Sequence, residues 1–116
     1  MKYMLLMYAS ETDSPDFTPE ELQAIGQEWQ TLLKEAKAAG VLLANNGLAP
    51  IATATTVRLR EGKALTVDGP FAETHEQLGG FLMVNCENLD EAIDWAQKIP
   101  QARYGSVEIR PLWDQV

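Results

Sequence analysis

Apolar and polar positions along the chain change period several times, and each change marks an element. Lys2 to Tyr8 is a short apolar, aromatic-rich run that predicts a buried strand. Residues 11–19 are polar, with two prolines and several acids, and read as a loop. Thr18, Pro19, Glu20 and Glu21 then form a helix start: a capping hydroxyl, a proline suited to the first turn, and acids at the positive end of the helix dipole. Leu22, Ile25, Trp29, Leu32, Leu33 and Ala36 follow at helical spacing, and Gly40 ends the helix. Val41 to Leu48 predicts a second strand, disturbed near its end by Asn45, Asn46 and Gly47, and Pro50 to Ala54 connects it onward.

From Thr55 to Arg60 the pattern alternates, Val57 and Leu59 facing one way and Thr56, Arg58 and Arg60 the other. Glu61-Gly62-Lys63 reads as a tight turn and Ala64 to Asp68 as the returning strand of a hairpin. Leu78 to Cys86 is almost wholly apolar and predicts a central strand covered on both faces, with Gly79-Gly80 marking a bulge or a close backbone approach. Asn88 caps a second helix with Leu89, Ala92, Ile93 and Ala96 on its apolar stripe, and Pro100 stops it. Gly105 leads into a last strand, Ser106 to Leu112.

The order is β-α-β, a hairpin with its following strand, then α-β. That order predicts an α+β ferredoxin-like sandwich: an antiparallel sheet with two helices on one face. Such a layout leaves the other sheet face bare. The two-sided apolarity of Leu78 to Cys86 predicts a cover, and a second copy of the chain is the simplest one, giving a homodimer through the sheet face.

Composition narrows the class. At 116 residues the chain is read as a single domain spanning 1–116, with 46% apolar and 22% charged residues, as in a folded globular protein. A net charge of −8 with only nine Lys and Arg argues against nucleic acid and against anionic membranes as partners. No run approaches the ~20 apolar residues of a membrane span, and the apolar N-terminus is too short for a signal-peptide core and cleavage site. The single cysteine, Cys86, excludes an intramolecular disulfide and fits a reducing, cytoplasmic location. Lying in an apolar run, it reads as a buried, inert thiol.

Motifs for dinucleotides, for nucleoside triphosphates, for zinc proteolysis, for dithiol chemistry and for the serine nucleophile elbow are all missing, so no cofactor is expected. The stretch V-D-G-P-F-A-E-T-H-E-Q-L-G-G-F, Val67 to Phe81, is what remains. It carries the lone histidine, His75, close to Asp68, Glu73 and Glu76. One reading pairs Asp68 or Glu73 with His75 as a tuned general base. The other is a turn, in which Gly69 supplies a positive φ, Pro70 fixes φ and Asp68 accepts backbone N–H groups, followed by solvated polar residues. A metal site is not expected, because such acidic clusters are ordinarily solvated. Arg58 and Arg110 are candidate clamps for an anionic ligand, against their reading as solvated strand residues or edge guards. Tyr8 and Tyr104, at predicted strand ends, either line a cleft or pack.

The pieces M-K-Y-M-L-L-M-Y, A-A-G-V-L, A-T-T-V-R, D-G-P-F-A-E-T, E-Q-L-G-G-F, L-D-E-A and G-S-V-E-I-R-P run from end to end of the chain. In them the sequence resembles the YCII-related family, in the branch named for its D-G-P-F motif. The resemblance implies a ferredoxin-like fold that dimerises through its sheet, within the dimeric α+β barrel group. Most proteins of the branch have no established activity, and some broader relatives look like small lyases or dehydrochlorinases using a histidine and an aspartate. At the matching places this chain has Trp29 or a neighbour and the pair Ile99-Pro100, so that catalytic pair is not carried over. In the branch, lysine is the more familiar residue at the place of His75.

Two functions follow as expectations. One is a cofactor-free, lyase- or isomerase-like enzyme. Its pocket near the D-G-P-F turn would be formed by Arg58, Asp68, Gly69, Pro70, Phe71 and Arg110, with Asp68 or His75 as the acting base and a small, anionic organic molecule as ligand. The other is a non-catalytic regulatory module. Relatives of the branch are often encoded beside, or fused to, sigma factors of the extracytoplasmic-function type, and the acidic surface would meet such a partner.

Overall fold

The computed structural model describes residues 1–115. Six strands and two long helices appear in the order β1 (Lys2–Ala9), α1 (Pro19–Ala38), β2 (Leu42–Gly47), β3 (Thr55–Arg60), β4 (Lys63–Asp68), β5 (Gln77–Asn85), α2 (Leu89–Gln97) and β6 (Ser106–Pro111). Short 3₁₀ turns cover Ile51–Thr53, Pro100–Arg103 and Trp113–Gln115. Strands β2, β5, β1 and β6 form one sheet in that order, and each neighbouring pair is antiparallel. Both helices lie on one face, which makes the fold ferredoxin-like α+β.

The helix starts follow the sequence signals. Thr18 accepts from the Glu21 amide, and the Glu21 carboxylate accepts from the Thr18 amide, so two otherwise orphaned donors are satisfied reciprocally. Asn88 accepts from the Glu91 amide at the head of α2. The core lies between sheet and helices. Tyr3, Leu5 and Met7 of β1 and Leu82 and Val84 of β5 pack on Leu32 of α1, Ala92 and Ala96 of α2, Cys86 and Ile99. The ends of the helical stripes do not join this core: Leu22 and Leu89 are exposed. No helix among the described residues is long and apolar enough to cross a membrane.

The two glycines in β5 do what their position in an apolar strand predicts. Met7 pairs with Gly80 and Tyr8 with Leu78, so Gly79 is the extra residue of a bulge. A Cβ on Gly80 would stand 2.8 Å from the Asn46 carbonyl of β2 and 2.9 Å from Cε of Met7. In β2 the irregularity falls earlier than the Asn45-Asn46-Gly47 run, between Leu42 and Ala44, and the strand continues through both asparagines.

Two features fill in what the sequence reading left open or expected: where the hairpin goes, and the bare face opposite the helices. The hairpin does not extend the main sheet. Strands β3 and β4 pair only with each other, joined by a two-residue turn in which Glu61 and Gly62 both take positive φ, 53° and 76°. And β5 is covered by its own chain on one face only. Phe81 and Met83 pair with Leu6 and Met4 on the face that carries no helix, where all four are half-buried.

Candidate functional site

The residues singled out in the sequence divide into separate places. At the base of the hairpin the Gly69 amide donates to the Ala54 carbonyl (2.6 Å), and its own carbonyl accepts from the Thr56 hydroxyl (2.8 Å). Gly69 has φ 102°, a conformation closed to other residues without strain, so a glycine is required where the chain leaves β4. An Arg58 guanidinium N–H reaches the Phe71 carbonyl at 3.4 Å. The structure thus brings Arg58, Gly69 and Phe71 together as a braced corner beside Asp68 and Pro70. Phe71 is 78% exposed, and Asp68 is exposed at the strand end. Arg110 lies on β6, the opposite edge of the main sheet from β2 out of which the hairpin grows, so Arg58 and Arg110 do not converge within one chain. The carboxylate that faces His75 is Asp13, at 3.7 Å, rather than Asp68 or Glu73, and both side chains of that pair are largely exposed.

A concave site forms elsewhere, where the C-terminal ends of β1 and β2 meet the start of β5. Its outer cavity, about 500 Å³, lies between loop 10–17, Leu48, Pro50, Gln77, Gly79 and the turn that carries Gln101 and Tyr104. A deeper cavity of about 280 Å³ continues under α1, walled by Trp29, Leu33, Asn45, Asn46 and Leu82. Met7, Gly79 and Gln101 belong to both, so the two form one cleft. The Gly79 bulge opens it: without a side chain there, the β5 backbone itself becomes part of the wall.

Local hydrogen bonds hold the rim. The buried Ser10 hydroxyl accepts from the amides of Asp13 (2.8 Å) and Thr12 (3.3 Å), folding loop 10–17 back on the strand end. Gln77 accepts from the Glu11 amide at 2.9 Å and donates to the Thr74 carbonyl at 2.5 Å. The Glu11 carboxylate accepts from the Ile51 amide at 3.0 Å. Phe17 stacks edge-on against Tyr104, ring centroids 5.4 Å apart. Burial pushes the Tyr104 hydroxyl up from its ordinary range, so it stays protonated at neutral pH. Arg103 grips Glu28 of α1 through two N–H donors, at 2.5 and 3.0 Å, which fixes the 100–104 turn against the helix.

Inside this frame one group is left over. The side-chain carbonyl oxygen of Gln101 is buried and has no hydrogen-bond partner. A buried acceptor without a donor is costly; Gln101 lines both cavities, and a turn of its side chain presents the oxygen to whatever fills them. Neither cavity is lined by lysine, arginine or histidine, and Glu11 and Tyr104 are the only ionisable side chains on the walls. Of this site the sequence reading named Tyr104, which lines the cleft and also packs on Phe17; periodicity missed the rest because its key residues lie where the patterns end: Ser10 after β1, the asparagines of β2, and Gln101 in a turn. The usable signals were the paired glycines of β5 and the asparagines inside an apolar strand.

A ferredoxin-like α+β domain with an added hairpin and a mainly uncharged cleft at the strand ends is the class these features define. The chain belongs to the YCII-related family, whose domain it matches over residues 1–115. It is 37% identical over 114 residues to an uncharacterized protein of Rhizobium meliloti (strain 1021), covering 97% of this chain and 92% of that protein.

Proposed function

We infer that the protein is a small-molecule-binding homodimer of the D-G-P-F branch. Its ligand is a mainly apolar, uncharged organic molecule bearing an N–H or O–H donor. The unpaired oxygen of Gln101, a residue that lines both cavities, is the observation that carries this reading. The Gln101 side chain turns to meet the ligand's donor, the ligand's apolar body fills the space between Trp29, Leu33 and Met7, and the Tyr104 hydroxyl offers a further polar contact. An anionic ligand gains nothing here, since no cation lines the walls. Dimerisation through the helix-free sheet face covers Met4, Leu6, Phe81 and Met83. Proton transfer of the lyase or isomerase kind would run through Glu11 or Tyr104, and we assign the cleft to binding.

A thermal-shift screen with neutral phenols and amides, and with organic acids, tests this on the wild type, Gln101→Met and Asp68→Ala. A ligand present at 100 times its dissociation constant stabilises by about 2.7 kcal/mol, or about 10 °C in a domain of this length. The reading predicts that shift in the wild type and in Asp68→Ala, and its loss in Gln101→Met. Loss in Asp68→Ala alone moves the ligand to the D-G-P-F turn. No response to any compound, together with capture of a sigma factor, supports the regulatory module instead.

A further inference from the structure

The hairpin β3–β4 stands out from the body, and no other strand or helix among the described residues packs appreciably against it. The register puts Val57 and Leu59 on one face with Ala64, and Leu65 and Val67 on the other with Arg58. All four large apolar side chains are exposed, Leu59 by 69% and Val57 by 63%. An isolated two-stranded hairpin is marginal in water. One that is apolar on both faces holds its pairing when another surface covers it.

The whole molecule shows the same incompleteness. A compact monomer of this mass exposes about 6,300 Å², whereas this chain exposes 8151 Å². The excess is about 1,800 Å² per chain, and two chains burying it reach the range of obligate homodimers, ~2,000–5,000 Å² in total. The radius of gyration, 16.3 Å, likewise exceeds the about 13 Å of a compact chain of this length. The helix-free sheet face is too small to supply the difference: four strands about 4.8 Å apart and about 20 Å long have a footprint of about 400 Å². The hairpin, bare on both sides, is the largest remaining source. The hairpin also carries Arg58, Arg60 and Lys63, three of the nine cations of a chain with net charge −8, which favours an acidic partner. A second copy of this chain is such a partner.

We propose that β3–β4 is an exchange arm, which lies on the body of a second copy of this chain while the second copy's arm lies reciprocally on the first. The arm rests on the homodimer inferred above and adds to it: the interface extends beyond the sheet face, and the D-G-P-F corner is the hinge from which the arm leaves the body. The two-fold arrangement makes both arms equivalent and closes the assembly at two chains.

Sedimentation equilibrium of the wild type and of the double variant Leu59→Glu/Val67→Glu, one charge on each face of the arm, tests this. Hydrogen exchange of the hairpin amides in the unmodified wild type gives an independent readout. The expected result is a dimeric wild type with protected amides in β3 and β4, and a variant whose dimer dissociation constant rises at least tenfold while its near-ultraviolet circular dichroism is unchanged. A dimeric wild type with freely exchanging hairpin amides and an unaltered variant constant overturns the arm and leaves the sheet-face dimer standing. A monomeric wild type at tens of micromolar overturns both.

Discussion

Replacing Gln101 with methionine sets the cleft's two requirements against each other. The substitution keeps side-chain length and removes the buried oxygen that has no partner. It leaves the turn in place, because that turn is held by the main-chain carbonyl of residue 101, which accepts from the amides of Tyr104 (3.2 Å) and Gly105 (2.7 Å). An unsatisfied buried acceptor costs about 1–3 kcal/mol. Gln101 is half-buried as a residue, so the lower figure applies and the ligand-free variant gains about 1 kcal/mol. In a domain of this length that gain raises Tm by about 4 °C. Differential scanning calorimetry of the two ligand-free proteins at one concentration reads the difference directly. A fall in Tm of several degrees would show instead that the glutamine oxygen is already satisfied in the empty cleft and needs no donor from a ligand.

Other consequences follow from the same frame. A Cβ on Gly105 would overlap the Tyr8 carbonyl and crowd Ala9 at 3.1 Å; Gly105→Ala is therefore expected to cost about 1–3 kcal/mol, read as a lower urea midpoint, and an unchanged midpoint contradicts this. The hydrogen bond from Arg103 holds the Glu28 carboxyl below its usual range. Because the folded pKa is depressed, this stabilisation is present above the ordinary glutamate value of about 4.3 and fades as pH falls through the folded value. The Tm difference between wild type and Arg103→Ala is thus expected at pH 7 and should vanish toward pH 3; a difference that grows on acidification counts against the pair. Burial pushes the Cys86 thiol up, so a disulfide reagent at pH 8 should leave the native protein unmodified and label it once urea unfolds it.

The fold was largely readable because its strong elements keep one period from end to end. Lys2 to Tyr8 and Leu78 to Cys86 specify central strands, and Thr18 and Asn88 specify helix starts through bonds made within four residues. What the sequence could not show is where each apolar face goes. Val57, Leu59, Leu65 and Val67 alternate as in any half-buried hairpin, yet all four are exposed and no strand or helix among the described residues packs appreciably on them. The same limit governs the site. The D-G-P-F motif is conspicuous as a string because Gly69 needs a positive φ and the corner is braced by Thr56 and Arg58. The cleft is assembled from residues of five separate segments, and no local spacing records their meeting. His75 illustrates the point, since its facing carboxylate, Asp13, is 62 positions away in the sequence.

Small molecules are expected to enter the cleft at Gln101 rather than the D-G-P-F corner. Amide chemical-shift mapping of the labelled wild type with the best neutral hit from the screen tests it most directly. Binding in the cleft perturbs Ser10, Gln77, Gly79, Gln101 and Tyr104 and leaves Gly69 and Phe71 unmoved. Shifts centred on Gly69, Phe71 and Arg58, with Gln101 and Tyr104 silent, would contradict it.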